Sequence, residues 1–127
     1  MASLPAPDGK RAALLALLAW LLCSAAMLWL FRGDFATLGF RDPDDAMRLV
    51  QVRDWIGGQA FWDVSQHRVN PPIGGPMHWS RIVDLPIAAM LLVLTPIFGD
   101  FTAQRIACAV APMLALGPAL MWLQDLT

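Results

Sequence analysis

The stretch AALLALLAWLLCSAAMLWLF, residues 12–31, decides the fold because it contains 20 consecutive residues without a charge. At a helical rise of about 1.5 Å per residue, such a stretch is roughly 30 Å long, which matches the hydrocarbon core of a bilayer. Lys10 and Arg11 precede it, and Trp29 and Phe31 lie at its far end, where aromatic rings favour the headgroup region. The stretch therefore predicts a transmembrane helix.

The composition of the whole chain agrees with a membrane protein. Hydrophobic residues make up 57% of the 127 residues, charged residues make up 15%, and the mean hydropathy is +0.54. This leaves too little polar surface to cover a soluble domain of this size. The 9 basic and 10 acidic residues nearly cancel, whereas an electrostatic nucleic-acid-binding protein has a strong basic excess. The composition therefore excludes an ordinary soluble enzyme and argues against nucleic acid as a partner.

Two further apolar runs follow towards the carboxyl end. The first, residues 82–98, is long enough to cross a bilayer when Asp84 belongs to its first turn. The second, residues 106–123, contains two prolines, which membrane helices tolerate when neighbouring groups satisfy the freed carbonyls. Because residues 100–105 form a short connector, the two runs are expected to be antiparallel neighbours. The sequence thus predicts an all-α integral membrane protein with about three transmembrane helices.

Residues 1–127 are expected to form a single membrane module, with spans at about 12–31, 82–98 and 106–123 and a structured external loop at 32–84. The basic residues before the first span favour a cytoplasmic amino terminus. The six arginines of the loop favour the opposite orientation, but seven aspartates in the same loop offset them. We therefore expect a bacterial inner-membrane protein with a periplasmic loop. The chain ends shortly after its third apolar run, so we interpret it as the amino-terminal part of a larger polytopic protein.

The loop opens with RDPDDAMR, residues 41–48, which has the pattern of a helix amino terminus. Asp42 is expected to be the N-cap, Pro43 the first helical residue, and Asp44 and Asp45 the acidic first turn. Apolar residues then recur at helical spacing, and two glycines end the helix. The pattern predicts a juxtamembrane amphipathic helix that lies along the membrane surface.

The three carboxylates of this first turn have two interpretations. In one, Asp42 caps the helix, while Asp44 pairs with Arg48 and Asp45 pairs with Arg41, each pair stabilising the helix by about 0.2–0.5 kcal/mol. In the other, one or two of the three aspartates hold Mg2+ or Mn2+. Both are hard cations that prefer oxygen ligands and bind the phosphate of a leaving group. The spacing alone leaves both interpretations open.

A second group of polar residues follows in the same loop. Its stretch NPPIGGP, residues 70–76, indicates an irregular loop, because proline and glycine disfavour helices and central strands. An alternative is that Trp79 and Arg81 only anchor the second span at the membrane interface. In the functional interpretation, histidines and arginines receive a phosphate or diphosphate, with arginine supplying forked donors. The residues available for this are His67, Arg68, His78 and Arg81.

The order of these features resembles the amino-terminal part of GT-C membrane glycosyltransferases, and in particular the catalytic subunits of oligosaccharyltransferases. It comprises an apolar span, an Asp-Pro-x-x-x-x-Arg motif on a juxtamembrane helix, a Trp-Asp step, a Pro-Gly-rich stretch and a second span. In that family, an acidic motif in the first external loop helps to bind a metal and to position the acceptor. On this resemblance, Asp42 matches the motif acid, Pro43 and Arg48 match the residues that follow it, and Asp63 matches the Trp-Asp step.

The resemblance implies the amino-terminal module of a glycosyltransferase whose donor is a sugar on a polyprenyl phosphate, with membrane lipid and other membrane subunits as further partners. Asp42 and Asp44 would be the catalytic residues, and Asp42, Asp44 and Asp45 would hold the Mg2+ or Mn2+ cofactor. The isolated 127 residues are not expected to be active. The alternative is a small non-enzymatic membrane subunit or assembly protein. The residues that would neutralise the departing phosphate are Arg48, His78 and Arg81.

Overall fold

The computed structural model describes residues 9–124, and in this range the chain is mostly helical. The ends of the expected module, residues 1–8 and 125–127, lie outside the described residues. The helices are α1 (Gly9–Leu30), α2 (Arg32–Thr37), α3 (Pro43–Ile56), α4 (Leu85–Phe98) and α5 (Asp100–Gln124). Between α3 and α4 lie the strands β1 (Ser65–Gln66) and β2 (Gly75–Pro76), and a 3-10 helix (Arg81–Asp84) leads into α4.

Three helical segments are long and apolar enough to cross a membrane, which confirms the class of fold predicted from the sequence. They are Gly9–Leu30, Arg81–Phe98 and Asp100–Leu120. The prediction that Asp84 belongs to the first turn of the second segment is also confirmed, because this turn is the 3-10 helix.

The expected connector between the second and third segments is largely helical, and this part of the prediction was wrong. Gly99 alone separates α4 from α5, so residues 100–105 form the first turns of α5. Its polar residues are satisfied within the protein. Gln104 Nε2 donates to Asp100 Oδ2 at 2.6 Å, and Arg105 Nε donates to the Phe35 carbonyl oxygen at 3.0 Å. Because Asp100 and Arg105 have these hydrogen-bond partners, both residues can be part of the helix.

The core lies where α3 packs against the α4–α5 hairpin. Alanines on α4 and α5 let α3 approach closely, because small side chains shorten the distance between helices. The apolar side of α3 is therefore covered by protein, and not by lipid alone as its predicted position along the membrane surface implied. The buried residues of this core are Leu49 and Val52 on α3, Ala88 and Leu91 on α4, and Ala103 and Ala107 on α5.

Helix α1 packs against α5 at the segment between Pro112 and Pro118. Trp20 Nε1 donates to the Met113 carbonyl oxygen at 2.8 Å. Gly117 leaves room for this indole, since a Cβ there would lie 3.5 Å from Trp20 Nε1. Pro118 has no backbone N–H and leaves the carbonyl of Leu114 without its helical donor, so the Trp20 bond to Met113 lies one residue away from this site and does not replace that donor.

The Pro- and Gly-rich stretch folds back as a short antiparallel hairpin. Ser65 lies opposite Pro76, and Gln66 lies opposite Gly75. Gly74 has a φ of 83°, and a Cβ there would lie 3.1 Å from His67 Nδ1, so the turn requires glycine. Residues 70–74 are the irregular turn of this hairpin, as the sequence predicts, and only Gly75–Pro76 is a strand, at an edge where the missing N–H of proline is tolerated.

Candidate functional site

The amino terminus of α3 has the predicted capping arrangement. Asp42 is extended, with a φ of −107° and a ψ of 127°, and its Oδ1 accepts a hydrogen bond from the Asp44 backbone N–H at 2.9 Å. Pro43 is the first helical residue, which confirms that prediction. Asp42, Asp44 and Asp45 are all exposed. One Asp42 oxygen thus caps the helix, and the other oxygen does not take part in the capping bond.

The ion pairs predicted within this turn are replaced by pairs with other elements. Arg41 Nε lies 2.7 Å from Asp34 Oδ2 on α2, and Arg48 Nε lies 3.7 Å from Asp84 Oδ1 in the 3-10 helix. The predicted partners Asp44 and Asp45 form no ion pair within residues 9–124. The two arginines thus pair with carboxylates of other elements and not with those of the acidic turn.

The acidic turn does not by itself fit a metal ion. Within the part of the chain that the structure describes, no three His, Cys, Asp or Glu side chains come together as a group that could hold one. Asp42 Oδ1 is also engaged in the helix cap. A Mg2+ or Mn2+ ion at this surface would therefore need ligands beyond Asp42, Asp44 and Asp45, because both metals require about six oxygen ligands.

Arg81 lies at the centre of a buried polar network. Its residue exposure is 4%, although it was predicted to bind a substrate phosphate. Arg81 Nη1 donates to the Gln51 carbonyl oxygen at 3.1 Å, and Nη2 donates to Gln59 Oε1 at 3.1 Å and to the Asp63 carbonyl oxygen at 2.6 Å. The Arg81 side chain thus joins the 3-10 helix to α3 and to residues 57–64, which follow α3.

Gln51 supports the same network from α3 and is fully buried. Its Nε2 donates to the Val64 carbonyl oxygen at 3.5 Å, and its Oε1 accepts a hydrogen bond from Trp79 Nε1. Trp79 and Arg81 therefore have partners within the protein, and the alternative that they anchor the second span at the membrane interface stays a prediction. Both side chains hold the loop against α3.

Asp84 lies buried between two of the arginines predicted to bind phosphate. Asp84 Oδ1 lies 3.7 Å from Arg48 Nε, and Asp84 Oδ2 lies 3.9 Å from Arg81 Nη1. Both Asp84 oxygens and the Nε atoms of both arginines are buried and have no hydrogen-bond partner among residues 9–124. This carboxylate balances part of the positive charge that a phosphate was expected to meet.

His78 joins this group through the ring of Trp79. The His78 and Trp79 ring centres are 4.8 Å apart, and the Arg48 guanidinium carbon lies 5.2 Å from the Trp79 ring centre. The structure therefore brings together the three predicted phosphate-binding residues, Arg48, His78 and Arg81, around Trp79 and Asp84. His78 is exposed, and the Arg48 side chain keeps 35% of its exposure, so these two remain accessible to a ligand.

The β1–β2 hairpin is attached to α3 by Asp54. Arg68 Nη1 donates to Asp54 Oδ2 at 2.7 Å, and Gln66 Nε2 donates to the same oxygen at 3.2 Å. Burial raises the pKa of Asp54, but these hydrogen bonds and the charges of Arg68 and Arg53 outweigh it, so the pKa lies below the ordinary value of 3.8. Arg68 is therefore committed to α3, whereas the neighbouring His67 is exposed.

Asp63, which matches the Trp-Asp step of the resemblance, forms a local turn. Its Oδ1 accepts a hydrogen bond from the Ser65 backbone N–H at 3.0 Å. The backbone and side chain of Ser65 lower the pKa of Asp63 below its ordinary value. This is the usual role of an aspartate that bonds to the backbone two residues further on.

Sequence reasoning missed the glutamines that hold this site together. Gln51 and Gln66 are fully buried, and Gln59 accepts a hydrogen bond from Arg81. The signal that pointed to them was a polar residue inside the apolar face of α3, Gln51 between Val50 and Val52. No protein-family model, curated protein or solved structure matches this chain, so the functional argument rests on these residues.

Proposed function

We propose that the chain is the amino-terminal module of a membrane glycosyltransferase that takes its sugar from a polyprenyl-phosphate-linked donor. One observation carries the proposal: exposed carboxylates that form no ion pair within residues 9–124 stand at the start of α3, which packs against the α4–α5 hairpin. A carboxylate held in place beside the membrane can orient an attacking group towards a lipid-linked donor, and such positioning lowers a reaction barrier substantially.

Asp42 is the residue that we assign to the acceptor. Its Oδ1 is engaged by the Asp44 N–H, and this bond fixes the carboxylate relative to the helix axis. The second oxygen accepts a hydrogen bond from the attacking hydroxyl or amide. Asp44, one residue beyond Pro43, is exposed beside it and assists as a second acceptor.

Arg48 and His78 are the residues that we assign to the departing phosphate. Both lie beside Trp79, and both are accessible. A positive charge placed before the reaction stabilises the charge that develops on the leaving group. Arg81 is a positioning residue in this proposal, because its Nη atoms already bond to the protein and hold the segment that carries His78.

The test is sugar transfer from a labelled polyprenyl-linked donor in membranes that contain the full-length protein. Asp42→Asn should reduce transfer by at least about 100-fold, the range typical of a lost acid–base group, with unchanged membrane insertion. Asp34→Asn is the matched control, since it removes a carboxylate of α2 that pairs with Arg41 and should leave transfer within about 3-fold of wild type. Unchanged transfer by Asp42→Asn would reject the assignment. The same assay with a chelator tests the expected Mg2+ or Mn2+ requirement.

A non-enzymatic assembly subunit is the second candidate, and two apolar residues of the loop favour it. Trp62 is 88% exposed and Ile73 is 79% exposed. Large apolar side chains on a polar surface mark contacts with another protein or with lipid. On this alternative, the paired substitution Trp62→Ser and Ile73→Ser reduces co-purification of a membrane partner, whereas Asp42→Asn has no effect on any activity.

A further inference from the structure

The direction of α5 relative to α1 is fixed by two sets of contacts. Trp20, in the middle of α1, bonds to Met113 of α5. Leu28, two turns further along α1, lines the same groove as Thr102 and Ile106 of α5. Residue numbers therefore rise along α1 as they fall along α5, so the two helices are antiparallel. The start of α5 lies beside the end of α1, where Arg105 Nε reaches the Phe35 carbonyl oxygen.

This direction places the end of α4 on the same side as the loop 32–84. The end of α1 leads into the loop 32–84, and the loop leads directly into α4. The end of α4 is separated by Gly99 alone from the start of α5, which lies on the loop side. In a chain with three crossings, α5 would instead run parallel to α1 and would start beside Gly9.

Helix α3 independently joins the two ends of α4. Arg48 lies 3.7 Å from Asp84, just before α4, and Arg53 Nη2 lies 4.0 Å from Asp100 Oδ2, just after it. The two aspartates flank the 14 residues of α4, so the paired arginine side chains of α3 bridge about 21 Å, which is less than the roughly 30 Å of a hydrocarbon core. A crossing by α3 itself is unfavourable, because a charge at the bilayer centre costs about 2.5–3.5 kcal/mol and α3 carries five charged residues.

Helix α4 itself has 14 residues and measures about 21 Å, but with the preceding 3-10 turn the segment Arg81–Phe98 has 18 residues and is long enough for a crossing, so length does not decide its position. It carries large apolar side chains that stay exposed among the described residues, in a chain whose α1 and α5 are also long and apolar enough to cross a membrane. An apolar helix tied to one surface at both ends fits the acyl boundary of one leaflet. The exposed apolar residues of α4 are Leu85, Leu92, Val93, Ile97 and Phe98.

We infer that α4 does not cross the membrane: both of its ends lie on the side of the loop 32–84, and its exposed apolar face binds the lipid of that leaflet. Of the described helices, α1 and α5 make the crossings, as an antiparallel pair. The start of α1 and the end of α5 then lie on the same side of the membrane. Arg81–Phe98 is apolar enough for a crossing, but its contacts hold it on one side.

Labelling of single cysteines tests this arrangement in the full-length protein, with Cys23 and Cys108 replaced by alanine. Ile73→Cys reports the loop side, Lys10→Cys the opposite side, and Phe101→Cys the start of α5; all three positions are exposed. A membrane-impermeant maleimide applied to intact and then permeabilised cells should label Phe101→Cys from the same side as Ile73→Cys. Labelling of Phe101→Cys together with Lys10→Cys would overturn the inference. Asp100→Cys gives an independent second reading of the same end.

The occupant of the α4 face is tested by a nitroxide attached to Val93→Cys in liposomes. Accessibility to oxygen with exclusion of an aqueous nickel complex is the result expected for lipid contact. Accessibility to the nickel complex would show that water covers this face, and protection from both reagents would show that a partner helix covers it. Either of these two outcomes contradicts lipid binding by α4.

Discussion

Arg81 is accommodated in a buried position because the protein supplies the hydrogen-bond acceptors that water would otherwise provide. The carbonyls of Gln51 and Asp63, together with Gln59 Oε1, bond to its two Nη atoms. The forked donors of Arg81 indicate that it binds acceptors such as a phosphate. The residue type does not show whether those acceptors belong to a ligand or to the protein. The answer depends on α3 and the loop packing together, which local sequence does not encode.

Replacement of Arg81 tests this structural role. Arg81→Met should lower the free energy of unfolding by about 3–5 kcal/mol, because it leaves Asp84 and two carbonyls buried with fewer partners. Thermal unfolding of the detergent-solubilised protein measures the change. Arg41→Met is the matched control, since Arg41 pairs with Asp34 at an exposed position and should change stability by no more than about 1 kcal/mol. Equal effects of the two substitutions would contradict a structural role for Arg81.

Asp54 makes the attachment of the β1–β2 hairpin to α3 depend on pH. The pKa of Asp54 is lower in the folded chain than its ordinary value of 3.8, so ionised Asp54 favours folding. This contribution is complete above about pH 4 and is lost as the pH falls through the folded pKa. The unfolding temperatures of wild type and Asp54→Asn should differ by a constant amount from about pH 5 to about pH 7 and converge below about pH 4. A difference that widens in acid would show the opposite sign of linkage.

At the scale of elements, α3 could be predicted at both ends, because helix ends depend on short-range chemistry. Asp42 caps it, Pro43 opens it and Gly57 follows its last residue, as the sequence indicates. Its surroundings could not be predicted in the same way. Gln51 is buried because the loop returns over it, and a helical pattern does not show which distant segment covers a given face.

The start of α5 shows the same limit. The charged residues at 100–105 are typical of a connector, and the sequence predicts one there. The structure keeps these residues helical because their partners lie on the neighbouring turn and on α2, as Gln104 with Asp100 and Arg105 with Phe35. Charge alone does not end a helix when tertiary partners are available.

The contact between Trp20 and Met113 should contribute measurably to the packing of α1 on α5. Trp20→Phe keeps an aromatic ring and removes the donor, so we expect a loss of about 0.5–1.5 kcal/mol, the range for hydrogen bonds between membrane helices. Trp122→Phe is the control, because Trp122 is exposed and should change stability by less than about 0.5 kcal/mol. Unfolding of the detergent-solubilised variants compares the two. A larger loss for Trp122→Phe would contradict the proposed packing.

At the scale of the whole molecule, the sequence predicts how many apolar segments exist but not which of them cross the bilayer. Length and hydropathy are local properties, and Arg81–Phe98 satisfies both. Direction depends on which helices touch, and the bonds from Trp20 to Met113 and from Arg105 to Phe35 set it. An exposed acidic turn, a buried arginine network and a helix in one leaflet then all lie on one side of the membrane.

This arrangement depends most directly on α1 and α5 being antiparallel, which cross-linking of paired cysteines in membranes measures. In a protein without Cys23 and Cys108, Leu28→Cys should cross-link to Ile106→Cys through a short bifunctional maleimide, because both side chains line one groove. Leu28→Cys should not cross-link to Leu116→Cys, ten positions further along α5. Cross-linking of Leu28→Cys to Leu116→Cys without cross-linking to Ile106→Cys would show parallel helices and would contradict the account.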